Sequence, residues 1–220
     1  MDIAPLVLSL QVATLATIIA AVAGVALAAL LANGRFRGRD LLDVVITAPM
    51  VLPPTVLGYY LLVALGRRSF VGHAIEAAFG APIVFTRAGA VVAATVGALP
   101  LVVKSARAAL EAVDATLVRA ARTLGATPAR AFFTVQLPLA ARGTTAAVML
   151  GFARSLGDFG VTLMVAGDIP GETQTASLAI YDAIQEHRER AALGMALTLT
   201  AIALAVLYTA NKLTEARDGR

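Results

Sequence analysis

Long uncharged runs alternate with short charged stretches along this chain, and residues 3–34 carry no charge at all. The runs predict five helices that cross a membrane, over residues 8–32, 41–65, 82–103, 143–167 and 191–211. A crossing needs about 20 apolar residues. Backbone groups in lipid must be satisfied within their own segment, so continuous runs predict helices. Strands are not expected, because the runs do not alternate. The first run exceeds the roughly 7–15 residues of a signal h-region and has no basic lead, so it is expected to persist as a helix. Arg87 stands near the outer end of the third run, and Arg154 and Asp158 interrupt the fourth.

The polar stretches carry patterns of their own. In 67–81, Phe70, Val71, Ile75, Ala78 and Phe79 recur at helical spacing, which predicts a short helix lying on the membrane surface. Residues 168–190 are polar and contain Pro170-Gly171, a turn signal. Residues 105–124 are rich in helix formers, and Leu110, Val113, Leu117, Ala121 and Leu124 mark one face of a predicted helix. Gly125 suits a left-handed C-terminal cap. Thr127 suits an N-cap with Pro128 at the first helical position. A second short helix is predicted over 128–135, ending near Leu137-Pro138. The product is a helix–Gly–helix elbow carrying Phe132 and Phe133 beside Arg122 and Arg130.

Composition narrows the class. Of 220 residues, 59% are hydrophobic and 15% charged, against about 25% charged in a soluble domain. Residues 1–220 read as one all-α membrane domain, a polytopic bundle of five transmembrane helices. There is no cysteine, so disulfides, thiolate catalysis and Cys-based metal sites are excluded. His73 and His187 lie far apart and read as ordinary exposed residues; no metal is expected. The formal charge of +4 falls in loops between apolar runs, so membrane topology accounts for it better than nucleic-acid binding.

Those loop charges orient the chain. With the N-terminus outside, the inner loops hold Arg35, Arg37, Arg39, Lys104, Arg107, Arg119, Arg122, Arg130, Arg142, Lys212, Arg217 and Arg220. The outer loops hold Arg67, Arg68, Arg87, Arg188 and Arg190. This excess places the N-terminus outside, the C-terminus inside and the loop 104–142 in the cytoplasm.

The string Arg119-Ala120-Ala121-Arg122-Thr-Leu-Gly125, followed after nine residues by Val135-Gln-Leu137-Pro138, resembles the EAA loop of binding-protein-dependent ABC importer permeases. Arg119 stands where that family commonly has Glu. The resemblance implies a type I ABC importer permease fold whose loop is a coupling helix, docked in a groove of a separate ATPase subunit. Phe132, Phe133, Arg122 and Arg130 would then lie at or near that contact. This chain has no G-x-x-x-x-G-K-[ST] loop, so ATP-Mg would be held and hydrolysed by two copies of the partner ATPase.

The resemblance extends further. Residues 48–60, 152–160 and 169–175 are similar to segments of molybdate and sulfate permeases, and the short five-span chain is closer to the molybdate branch. The implied assembly is a homodimer in the bacterial cytoplasmic (inner) membrane, served by a periplasmic or extracellular oxyanion-binding protein. Sulfate, thiosulfate or tungstate is the alternative cargo. Pro53 and Pro54, beside Thr55, remove backbone donors inside an apolar run. They read either as a bend at a gate or as a kink packed by neighbours. Arg154 and Asp158 are spaced i, i+4. They read either as a self-neutralising pair or as part of a conduit in which Arg154, with Ser155, favours a dianion. Gly151, Gly157 and Gly160, with Ala147 and Ala153, offer close helix contact. An ion-coupled secondary transporter would want more intramembrane acids than Asp158 and two repeated halves. An intramembrane enzyme would want a His, Cys or metal cluster that no span contains.

Overall fold

The computed structural model describes residues 3–34 and 36–215. Arg35, Arg217 and Arg220, counted above among the inner charges, lie outside the described residues. The chain is all-α, with no strand among the described residues. Three helices are each long and apolar enough to cross a membrane: α1 (Ala4–Asn33), α5 (Arg87–Glu111) and α12, assigned over Glu189–Glu215. Two bent pairs supply up to two more spans. In one, α2 (Arg39–Val51) and α3 (Pro54–Leu65) meet at 117°. In the other, α9 (Ala141–Leu156) and α10 (Gly160–Ala166) meet at 62°.

Both breaks fall where sequence marks them, but they are sharper than expected. Pro54 cannot extend α2, and Leu52 and Pro53 turn extended at φ −71°, ψ 139° and φ −54°, ψ 138°. A residue before proline is pushed out of the helical region, so tandem prolines end a helix rather than merely kink it. At the second break α9 stops at Gly157, and Asp158 accepts from the Thr162 amide of α10 at 2.9 Å.

The centre of the bundle is α5, packed against α1, α9, α10 and α2. Small residues allow the approach. Val102 is fully buried, and a Cβ added at Gly24 of α1 or Gly151 of α9 would meet its methyls at 2.8 and 2.5 Å. Without a water-driven force between helices in lipid, such close contact holds them together. The two broken spans interlock in the same manner. A Cβ at Gly160 would lie 2.8 Å from Pro54 Cβ, and one at Gly58 would lie 2.7 Å from Met164 Cβ.

The polar segments hold more helix than composition suggests. The surface helix α4 (Phe70–Phe79) forms, capped by Ser69, with Phe70 and Phe79 almost fully exposed. The stretch 168–190 contains α11 (Ala176–Gln185), whose Leu178, Ala179 and Ala183 are buried. Its apolar face is masked in sequence by the polar residues around it.

Side-chain bonds sort the molecule into two ends. At one, Ser9 accepts from the Ala176 amide, and Arg87 donates to the carbonyls of Gly171 and Glu172. At the other, Asn33 meets Gln136, and Asp43 of α2 accepts from Lys104 and Arg107 of α5.

Candidate functional site: an exposed elbow and a cavity between two breaks

The elbow is built from local rules. The helix expected over 105–124 is not continuous: α5 ends at Glu111 and α6 (Ala115–Thr123) restarts after Asp114. The Asp114 carboxylate accepts from the Thr116 amide at 2.8 Å, a cap that competes with helix continuation. That amide hydrogen bond also holds the Asp114 carboxyl below its ordinary range. The expected apolar face is therefore split. Leu110 lies in the core, while Leu117 of α6 and Leu124 at its C-cap are exposed, and α6 has no buried residue.

The turn itself forms as its residues predict. Gly125 has φ +90°, its N–H bonds Arg122 O, and the Ala126 N–H bonds Ala121 O, closing a Schellman cap. Thr127 Oγ1 then accepts from the Arg130 amide at 3.2 Å, with Pro128 opening α7 (Pro128–Ala131). The second helix runs past its expected end as a π turn (Phe132–Gln136) and α8 (Leu137–Leu139). The Leu137 N–H reaches back five residues to Phe132 O. Pro138 has no N–H and would crowd the carbonyl four residues before it; a widened turn takes up the mismatch.

The elbow residues divide by exposure. Ala120, Arg119, Arg122, Arg130 and Phe133 point outward, and Phe133 is 65% exposed. Phe132 instead packs against the core cluster of Val103, Ala106 and Leu110, meeting Phe133 edge-on at 5.0 Å. Arg119 donates to Thr116 Oγ1 at 3.2 Å. Gln136, which no motif position marks, is the anchor. It is buried, forms a two-way amide pair with Asn33 at 3.0 and 3.2 Å, and donates to Leu110 O. A polar residue inside the Val-Gln-Leu-Pro string was its only signal. The elbow is thereby tied to the ends of α1 and α5.

The second constellation lies where the breaks meet. A cavity of about 220 Å³ is lined by Pro49, Leu52, Pro54, Gly97, Leu101 and Arg154, among others. Residues from two separate spans are thus brought together. Arg154 Nη1 donates to Asp158 Oδ1 at 3.0 Å. Pro53 and Thr55 are exposed on the chain's surface. Ser155 is not in this group: it is buried against α5, its hydroxyl 3.5 Å from Ala94 O. His73 and His187 stay apart, and no group of metal ligands occurs among the described residues.

Comparison with known proteins places these features in context. The family model described as "Binding-protein-dependent transport system inner membrane component" matches residues 9–215. The molybdenum transport system permease protein ModB of Escherichia coli K12 is 48% identical over 178 residues, 81% of this chain and 78% of that protein. The sulfate transport system permease protein CysT of Salmonella typhimurium is 35% identical over 212 residues, 96% of this chain and 76% of that one. Among solved structures, the MetNI methionine ABC transporter in inward-facing conformations aligns with a TM-score of 0.76 at 17% identity. That alignment covers 96% of this chain and 94% of that one, a likeness of fold.

Proposed function

The chain belongs to the family of binding-protein-dependent transport system inner membrane components, and from that premise we propose that it is the permease subunit through which an ABC importer moves molybdate across the bacterial cytoplasmic membrane. The greater identity to a molybdenum permease than to a sulfate permease supports the cargo. The chain is a transport component. ATP-Mg belongs to a partner ATPase, and an external binding protein delivers the oxyanion. Two copies of this chain form the conduit, and lipid surrounds them.

The mechanism rests on one observation: an elbow projects from one end of the bundle and is fastened by Gln136 to Asn33 of α1 and to the Leu110 carbonyl of α5. Its outer face presents Leu117, Leu124 and Phe133 with Arg119, Arg122 and Arg130, the aromatic, apolar and Arg composition of an interface core. Closure of two ATPase subunits on ATP moves this face. The Gln136–Asn33 pair passes the movement to the transmembrane helices, and the outer end opens to a docked binding protein. ATP and the binding protein act by favouring one permease state over the other. The breaks at Pro53-Pro54 and at Gly157 are the gate candidates, because a helix pair hinged there moves without unwinding a span.

The test is ATP-dependent molybdate uptake into vesicles holding the complete importer, with co-purification of the ATPase as a second readout. Phe133→Ala is expected to weaken co-purification and to reduce uptake by roughly tenfold or more, a hot-spot loss of about 2 kcal/mol. Unchanged uptake and unchanged co-purification would count against the elbow as the coupling contact.

A further inference from the structure

At the cavity between the breaks stands an ion pair whose two members are held very differently. The Arg154 side chain is 37% exposed and lines the cavity, whereas Asp158 stands behind it at 2%. Asp158 Oδ1 accepts from Arg154 at 3.0 Å. Its other oxygen accepts from the Thr162 amide at 2.9 Å and the Thr162 hydroxyl at 2.7 Å. The carboxylate is thus fixed to the first turn of α10 and cannot follow the arginine. The guanidinium has five donors in a planar fork, and no other described residue accepts from it. The walls around it, Leu52, Leu57, Leu101 and Val161, are apolar.

We propose that this cavity is a transient station for a tetrahedral dianion, in which Arg154 recognises the cargo and Asp158 is a built-in competitor that keeps its stay short. The proposal rests on the oxyanion reading given above. A cavity of about 220 Å³ equals roughly seven waters at about 30 Å³ each, room for a four-oxygen anion that keeps some hydration. Between apolar walls, the effective dielectric is low and both attraction and repulsion are strengthened. An unpaired arginine inside a span would be costly and would hold a dianion more tightly than one with a carboxylate behind it. With Asp158 behind it the site is neutral while empty. An arriving anion then shares the guanidinium fork against a fixed negative charge. Conduction demands such a balance, attractive enough for entry and weak enough for exit.

The experiment uses the complete permease–ATPase complex in proteoliposomes, with radiolabelled molybdate as the probe. Retention without the binding protein and uptake with it are both measured. Asp158→Asn keeps the side-chain shape and an acceptor for Thr162 while removing the competitor. It is expected to raise retention by about tenfold, the factor corresponding to 1.4 kcal/mol, and to slow uptake at saturating cargo. Arg154→Gln is expected to abolish that retention, alone or combined with Asp158→Asn, and to reduce uptake mainly at limiting cargo. Arg154→Lys, which keeps the charge but loses the fork, should recover part of the loss. If Asp158→Asn does not assemble, the contrast of Gln and Lys at position 154 decides alone. Equal retention across the variants, with wild-type uptake intact, overturns the station and leaves the cargo reading standing. A wild-type complex that takes up no tetrahedral dianion removes both.

Discussion

At Gly125 the backbone sits at φ +90°, and nothing lies within 4 Å of where a Cβ would stand. The demand there is purely conformational, because a side chain in left-handed backbone costs about 1–2 kcal/mol. Gly125→Val is therefore expected to loosen the elbow without disturbing the bundle. ATP-driven uptake should fall several-fold while the thermal midpoint of the chain changes little. Asp168, between α10 and α11, makes a different demand. Burial, and then the neighbouring Asp182 carboxylate, raise its carboxyl above the ordinary 3.8, and its Oδ1 is buried without a hydrogen-bond partner. A folded carboxyl held above its unfolded value binds its proton more readily when folded. Stability should then rise as pH falls from the raised value toward 3.8 and decline in the opposite direction. Asp168→Asn is expected to raise the thermal midpoint by a few degrees at neutral pH, with the gain shrinking in acid; scanning calorimetry in both buffers measures it.

Among elements, the decisive contacts are helix breaks and helix crossings. Val102 fits between Gly24 and Gly151 with no slack. Gly151→Ala is expected to destabilise the bundle by about 1–3 kcal/mol through overpacking. Adding Val102→Ala should recover part of that loss, because residues in contact do not act additively; thermal unfolding of both variants in detergent gives the comparison. Pro53-Pro54 and the Arg154–Asp158 interruption mark both breaks in the sequence, since breakers and charges are local features. Nothing local shows that the breaks pack on each other, Gly160 against Pro54. That contact joins residues more than a hundred positions apart. Periodicity also runs 105–124 together as one helix, because it does not register that Asp114 caps the Thr116 amide.

For the whole molecule, hydrogen bonds place the elbow, Asn33 and the Asp43 charge network at one end, and Ser9, Arg87 and α11 at the other. From the excess of basic residues at the elbow end we propose that this end faces the cytoplasm. The chain has no cysteine, so single replacements report sidedness cleanly. Thr127→Cys is expected to resist a membrane-impermeant thiol reagent in intact spheroplasts, and His73→Cys to react with it. The reverse pattern would invert the orientation and remove the elbow from the reach of a cytoplasmic ATPase. Broad apolar surface on α1, α2, α3 and α12, including Val22, Val51, Tyr60 and Leu204, is exposed, and it is the surface that the proposed assembly would cover with lipid and a second copy.

The sequence by itself determined the all-α membrane class, the main spans, the turn chemistry of the elbow and the family, because each is written in composition, run length or short-range spacing. The tertiary structure alone decided that Gln136 ties the elbow to α1 and α5, that Phe132 packs inward while Phe133 faces out, and that Arg154 lines a cavity between two broken spans while Ser155 does not. Those facts depend on which distant side chains meet. Spacing along one helix gives a side chain's direction, but only the neighbouring helices determine what that direction contains.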